Sequence, residues 1–590
     1  MNAVTILIIA LCVYALFYRF YATFIISKVL AFSPDKQTPA YTMRNDYDYK
    51  PTNRWVLFGH HFAAIAGAGP LVGPVLAAQF GYLPGFLWIL IGAVLAGAVH
   101  DMVVLFMSVR YNGISLTEIA KNEAGKLVGT STGIAVFFII ITALSGLAMV
   151  VVNALAESSW GTFSIAATIP IAMFIGIYIE KLRPGKITEA SFIGVILVLA
   201  AIIIGEPLSH SRFAHYFIYS KLNISIGLAI YGMLASILPV WLLLAPRDYL
   251  SSYMKIGTIG ILALGILWVR PDLNFPSFTT FIYGGGPIIP GKVWPYVCIT
   301  IACGAISGFH SLISSGTTPK MIENERDIKF IAYGAMLTEG FVALMALIAA
   351  CVLPMGDYFA INTTPEIFNK LGLTISNLPQ LSSAVGENLI GRAGGAVSLA
   401  VGMAQIFSNM PLMKNLLSYW YHFAIMFEAL FILTTIDAGT RVARYITQES
   451  LGRVYKPFSD INWWPGVIIT SAMVSFLWAA MLIAGNVRTI WPMFGVANQL
   501  LSAIALAIST TYILKRAKKV YSLITLIPCI FMLVTTFAAA IWNILDNYWP
   551  MHNSQGYINV ALTLIMMALA SIIAVVSIKK WFNLILAKGV

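Results

Sequence analysis

His61, His100, Asp101, Glu339 and Glu428 all fall inside long apolar runs, where a charge in hydrocarbon costs at least about 2.5 kcal/mol and is a functional candidate by default. His60 and His61 open one run, and His100-Asp101 close the next at a similar depth. A His–carboxylate contact there can relay a proton, because imidazole titrates near neutral pH. The other two readings are a structural pair locking two helices and a transition metal on His60, His61, His100 and Asp101. No His-Glu-x-x-His or Cys-x-x-Cys spacing accompanies the metal. Glu339 and Glu428 read as proton carriers or as buried, protonated acids. Ser307, Ser311, Ser314 and Ser315 recur at three- and four-residue spacing and share a helix face. Such hydroxyls suit a sodium ion, and back-bonding within their own helix is the alternative. Asp437 precedes Arg441 and Arg444 on nearly the same face, which reads as a salt bridge or gate. Asn153, Gln405, Asn498 and Gln499 read as helix–helix hydrogen bonds.

These residues must be held by membrane helices. The 590-residue chain is 10% charged and 59% hydrophobic, with a mean hydropathy of +0.84, against roughly 25% charged for a soluble chain. A soluble enzyme, a disordered protein and a nucleic-acid binder are excluded, because that much apolar surface cannot be hidden at this size. Fifteen apolar runs lie near 3–27, 57–79, 84–108, 131–155, 162–180, 188–205, 224–245, 254–269, 293–315, 330–353, 421–437, 464–485, 492–514, 520–542 and 557–578. Most reach the roughly 17 to 25 residues of a spanning helix. The first has no preceding positive charge and reads as a retained span, not a signal peptide. The five cysteines read as small buried hydrophobes. With the N-terminus outside, 27 Lys and Arg fall on inner segments and 7 on outer ones. The net charge of +12 is then mostly topology and needs no anionic partner. The same count makes 396–413 a re-entrant or outer-face helix. The outer stretch 354–395 before it reads as a connector or a lid.

Backbone breaks at membrane depth occur where protein or a water-filled cavity takes over the hydrogen bonds. Span two carries Gly59, Gly67, Gly69-Pro70 and Gly73-Pro74 within sixteen residues. Span seven carries Pro239 beside Trp241. The two lie five spans apart in opposite orientation, which predicts an inverted repeat of five plus five helices with the substrate at the midplane. The division is then 1–56 for the first span and inner loop, 57–445 for the core (with 354–413 as outer loop and re-entrant segment), and 446–590 for four further spans. Gly67, Gly69, Pro70, Gly73, Pro239, Trp241 and His310 are the expected substrate residues. Coupling falls to His61, His100, Asp101, Ser311, Ser314, Ser315, Glu339 and Glu428. An anionic substrate belongs at the half-helix N-terminus after Gly69-Pro70.

Five segments together resemble the carbon starvation protein A (CstA) family: Trp55 to Pro70, Gly97 to Asp101, Ser307 to Ser311, Thr435 to Arg441 and Phe494 to Leu500. They extend along nearly the whole chain. The resemblance implies a bacterial inner-membrane protein similar to the amino acid–polyamine–organocation transporters, with a LeuT-like repeat, taking up peptides or pyruvate.

The expected class is therefore an all-α polytopic secondary transporter, driven by a proton or sodium gradient, with its C-terminus cytoplasmic. Its partners are a small carboxylate or peptide and the lipid bilayer, with no nucleic acid. No organic cofactor is called for, and a sodium ion is the candidate inorganic ligand. The rival classes are a metal-dependent intramembrane enzyme and a non-transporting membrane sensor.

Overall fold

The computed structural model describes residues 1–33, 35–45, 49–239, 241–411, 413–452, 454–460 and 463–587. Val240 of the Pro239 motif, and Arg453 and Lys588 of the inner charge count, lie outside the described residues. The described chain is all helical, and its only strand-like pairings are two isolated bridges, Asn2 with Asp272 and Thr52 with Ile322. Among the described residues, twelve helices are long and apolar enough to cross a membrane, or thirteen if one bent pair is a single span. This is a multi-pass membrane protein.

The elements that matter below are these. The chain starts with α1 (Ala3–Leu16). The bent pair is α2 (Arg54–Ile65) and α3 (Gly69–Ala77), which meet at 48°. One span then contains α4 (Tyr82–Gly92) and α5 (Ala98–Arg110). A short polar helix α6 (Leu116–Ala124) precedes the 30-residue α7 (Lys126–Leu155). A hairpin of α8 (Ser159–Ile177) and α9 (Ile187–Ser209) follows. Next come α10 (Lys221–Ile237) and α11 (Leu244–Val269). A second interrupted span consists of α12 (Val293–Thr300) and α13 (Gly308–Gly316), and α14 (Gly334–Val352) succeeds it. The segment beyond holds α15 (Met355–Asn362), α16 (Leu378–Val385) and α17 (Ala396–Ser408). The chain closes with α18 (Leu417–Gly452), α19 (Trp464–Ala484), α20 (Val487–Arg516), α21 (Leu523–Trp542) and α22 (Ser554–Ala587).

At 13 residues α17 is about 20 Å long, short of the roughly 30 Å hydrocarbon core. It is buried against α14 and α18. Asn362 Nδ2 bonds Ser398 Oγ at 2.6 Å and ties it to α15. Burial sorts the helices. All of the 18-residue apolar window of α20 is inside the protein, and 83% of that of α7, whereas only 28% of that of α22 is. The centre is built from α2/α3, α5, α7, α12/α13, α14, α18 and α20, and the last two helices form a lipid-facing flank. Cys12 is exposed, unlike the other four cysteines, so it is not the buried hydrophobe its apolar run suggested.

Two pieces of the sequence reading change here. The second break at the centre belongs to span nine, not span seven: α3 and α2 pack against α12 and α13, while α10 packs against α7, α18 and α19. Also, α11 begins at Leu244 rather than near 254, which draws Arg247 and Lys255 from the inner charge count into the buried interior.

Candidate functional site

The break in span two follows from its residues. Pro70 has no backbone N–H, so the carbonyl of Ala66 loses its helical donor. Ala66 leaves the helical region, with φ −74° and ψ +76°. The amide of Gly67 then turns to Ile65 O at 2.8 Å and abandons Ala63 O. Both freed carbonyls are taken by one side chain: Lys255 Nζ donates to Ala63 O at 2.9 Å and to Ala66 O at 3.0 Å. The ammonium also sits 4.0 Å from the ring centre of Phe431 on α18. Lys255 is 1% exposed and has no ion-pair partner among the described residues.

The break in span nine is closed differently. Its groups are met by neutral side chains, mostly from α20. Asn498 Oδ1 accepts from Phe309 N at 2.9 Å and so caps α13 from another helix, while Ser307 Oγ lies 3.2 Å from the same oxygen. Gln499 donates to Cys298 O, Trp491 to Thr300 O and Trp88 to Ile301 O. The two breaks cross in close contact. A Cβ on Gly69 would lie 2.3 Å from Cys303 Sγ, and one on Gly73 would lie 2.4 Å from Thr300 O. Only glycine permits this approach. Gly67 is half-buried and faces Thr435 on α18.

Beside the crossing lies a chain of buried ionisable groups. His100 Nδ1 is 2.7 Å from Asp101 Oδ1. Asp101 Oδ2 is 2.9 Å from His310 Nδ1, and His310 Nε2 is 3.0 Å from Glu339 Oε2. All four side chains are fully buried. His310 thus lies between carboxylates on α5 and α14, hydrogen-bonded to Asp101, while its 3.0 Å approach to Glu339 is an ion-pair contact without hydrogen-bond alignment. His61 Nδ1 shares a 2.8 Å hydrogen bond with Thr318 Oγ1, while its Nε2 has no partner, nor has Nε2 of His100. His310, expected among the substrate residues, has each ring nitrogen within 3.0 Å of a carboxylate oxygen.

The remaining expected residues are placed as follows. Pro70 starts α3, where a proline is tolerated. Ser311 Oγ donates to Gly308 O and Ser315 Oγ to Ser311 O, each at 2.6 Å, so both bond within their own helix. Ser315 Oγ also accepts from Leu116 N, and Ser314 Oγ has no partner. The carbonyls freed by the break in span two are bonded to Lys255. Glu428 is buried with neither oxygen hydrogen-bonded. Pro239 and Trp241 are exposed at the end of α10, away from the crossing, because α10 packs elsewhere. His60 is half-buried, and among the described residues no group of three or more His, Cys, Asp or Glu is arranged to hold a metal ion. Asp437 pairs with Arg247 at 3.5 Å and accepts from Tyr231 OH at 2.6 Å. Its expected partner Arg441 instead donates to Ala235 O and Leu238 O at the end of α10.

Two networks outside the spans were not anticipated. Glu123 at the end of α6 accepts from Lys515 at 2.5 Å, Arg516 at 2.7 Å and Tyr111 at 2.5 Å. Burial raises its carboxyl, but these hydrogen bonds and charges outweigh burial and hold it below the usual carboxylate range. Glu387, between α16 and α17, accepts from Ser158, from Arg392 at 2.9 Å and from His422 at 3.1 Å. Burial raises it too, and the same kind of pairing leaves it lowered. Glu123 lies in the last turn of one short helix and Glu387 just after another, both helices rich in small and polar residues, so hydropathy carries no sign of them.

Residues 2–539 match the model of the family described as carbon starvation protein CstA. The chain belongs to that family. The peptide transporter CstA of Bacillus subtilis is 51% identical over 583 residues, covering 98% of this chain and 97% of that protein. The peptide transporter CstA of Escherichia coli is 47% identical, covering 91% and 80%. The pyruvate/proton symporter BtsT of Escherichia coli is 44% identical, covering 91% and 81%. Among solved structures, the Eremococcus coleocola manganese transporter in complex with an aromatic bis-isothiourea substituted compound is similar over 89% of this chain and 94% of that one. Identity is 12% and the TM-score 0.42, too distant to carry an assignment. The named relatives are transporters, and the chain is a multi-pass membrane protein of the same family.

Proposed function

We propose that this protein imports small carboxylates or peptides, pyruvate among them, together with a proton, across the bacterial inner membrane by alternating access. The observation that carries this reading is the fully buried Asp101–His310–Glu339 chain set against the crossing of two broken helices. Buried ionisable groups in a membrane interior mark proton relays. The named activities of the relatives, peptide transport and pyruvate/proton symport, agree with it.

What speaks against sodium is the use of the oxygens. The break carbonyls hold Lys255, and the Ser311 and Ser315 hydroxyls bond within their helix. We assign the substrate carboxylate to the half-buried contact of Gly67 with Thr435, beside the N-terminus of α3. The repeat is reassigned as well. In our reading α2/α3, α5, α7, α10 and α11 correspond to α12/α13, α14, α18, α19 and α20, with α8 and α9 inserted. In support, α11 packs on α2 as α20 packs on α13, and α10 pairs with α19. The core then reaches 516, beyond the 445 expected. The N-terminus is assigned outside and the C-terminus inside by the charge count.

The test is uptake of labelled pyruvate into proteoliposomes under imposed gradients, with dipeptides as competitors. Uptake driven by an inward proton gradient and competed by substrate-class carboxylates is expected. Uptake indifferent to the proton gradient overturns the reading.

A further inference from the structure

We infer that Glu428 is the carboxylate that receives the N-terminal ammonium of a short peptide, and so the residue that separates peptides from simple carboxylates. This deepens the transport reading above and rests on its placement of the substrate carboxylate beside Gly67 and Thr435. Glu428 is 2% exposed, and neither of its oxygens is hydrogen-bonded. Among the described residues no basic side chain pairs with it. A carboxyl left without a partner in the membrane interior is expensive, and one kept there is a functional candidate. The buried acids beside the crossing differ, since Asp101 faces two histidines and Glu339 faces His310.

The place of Glu428 on α18 says what its partner is. Thr435 lies seven residues further along, about 20° round the helix on one side, and meets the break at Gly67. Gly439 lies eleven residues further along, about 20° round on the other side, and packs on Leu144 of α7. The face that carries Glu428 is thus bracketed by the break and by α7, the same interior seam that receives the substrate carboxylate. Seven residues of helix separate Glu428 from Thr435 by about 10 Å. Pyruvate has one charged end and does not span that distance. An extended peptide gains about 3.3 to 3.6 Å per residue, so about three residues bring an ammonium to Glu428 when the carboxylate is at the start of α3. A dicarboxylate of the same length would set like charges together and is rejected.

The experiment is calorimetry of the full-length protein in detergent, with trialanine, N-acetyl-trialanine and pyruvate as ligands. Wild type should bind trialanine about tenfold or more tightly than the acetylated peptide, the scale of one hydrogen bond to a charged group. In Glu428→Gln, which keeps the size and removes the charge, that preference should fall to about twofold or less, with pyruvate affinity unchanged. Unchanged pyruvate binding also shows that the variant folds. Glu428→Asp keeps the charge and should keep a preference for the free amine. A full preference retained in Glu428→Gln overturns the inference. So does a loss of pyruvate affinity in a variant that melts at the wild-type temperature, because Glu428 would then serve every substrate. If Glu428→Gln does not fold, wild type still tests the idea: equal binding of the two peptides, or binding of neither, overturns it. Calorimetry uses no gradient, so uptake indifferent to the proton gradient would remove the proton-coupled reading and leave the peptide assignment to these binding data.

Discussion

The two broken spans solve one backbone problem with different chemistry. In span nine the exposed carbonyls and amides are met by Asn498, Gln499, Trp491 and Trp88, none of which changes charge in the physiological range. In span two they are met by a lysine. The first arrangement is the same at every pH and fixes α13 to α20. The second depends on whether a proton is present. Amide and indole groups hold the break in span nine, while an ammonium holds the break in span two. The ionisable chain runs between them, from Asp101 through His310 on span nine to Glu339.

The largest effect is expected at Glu339, the acid at the end of the buried ionisable chain. Glu339→Gln should lower proton-driven uptake by about a hundredfold or more, the scale of a positioned proton-transfer group, while counterflow exchange survives. A variant that still accumulates substrate normally would remove Glu339 from coupling. Asn498→Ala attacks the neutral side. It uncaps α13 and should cost about 1 kcal/mol of stability, read from thermal melts in detergent, with the response to the proton gradient kept. A loss of coupling without a loss of stability would erase the distinction between the two breaks. The smallest effect concerns Glu123. Its folded carboxyl titrates below the unfolded value of about 4.3. Its contribution is thus complete above that value and lost as pH falls through the folded one. Glu123→Gln should be less stable than wild type at pH 7, and the gap should narrow in acid. A gap that widens in acid would contradict the pairing.

Much of the fold was legible because membrane helices announce themselves as long apolar runs, and every ionisable residue left inside one stands out. Asp101, His310 and Glu339 were each visible in that way. Their pairing was not, since Asp101 and His310 are 209 residues apart and only the tertiary fold joins them. The break in span two was visible through Gly69-Pro70. That in span nine was not read as a break, because Gly304 and Gly308 carry no proline between them, whereas the conspicuous Pro239 merely ends α10 at an exposed turn. Lys255 was hidden by the charges around it. Arg247, Asp248 and Lys255 together looked like a loop, whereas the helix that carries them starts at Leu244 and buries Arg247 and Lys255. Serine spacing pointed to a cation site, but back-bonding satisfies two of those hydroxyls. The acidic clasps at Glu123 and Glu387 lie in short polar segments where composition gives no signal.

The most direct measurement is of proton movement itself. Wild-type protein in proteoliposomes is placed in lightly buffered, sodium-free medium, pyruvate is added outside, and external pH is followed with an electrode. Proton symport through the buried chain predicts alkalinisation of the medium that matches pyruvate entry and is absent in Glu339→Gln. Pyruvate entry with no proton movement, or entry that appears only when sodium is supplied, would contradict it.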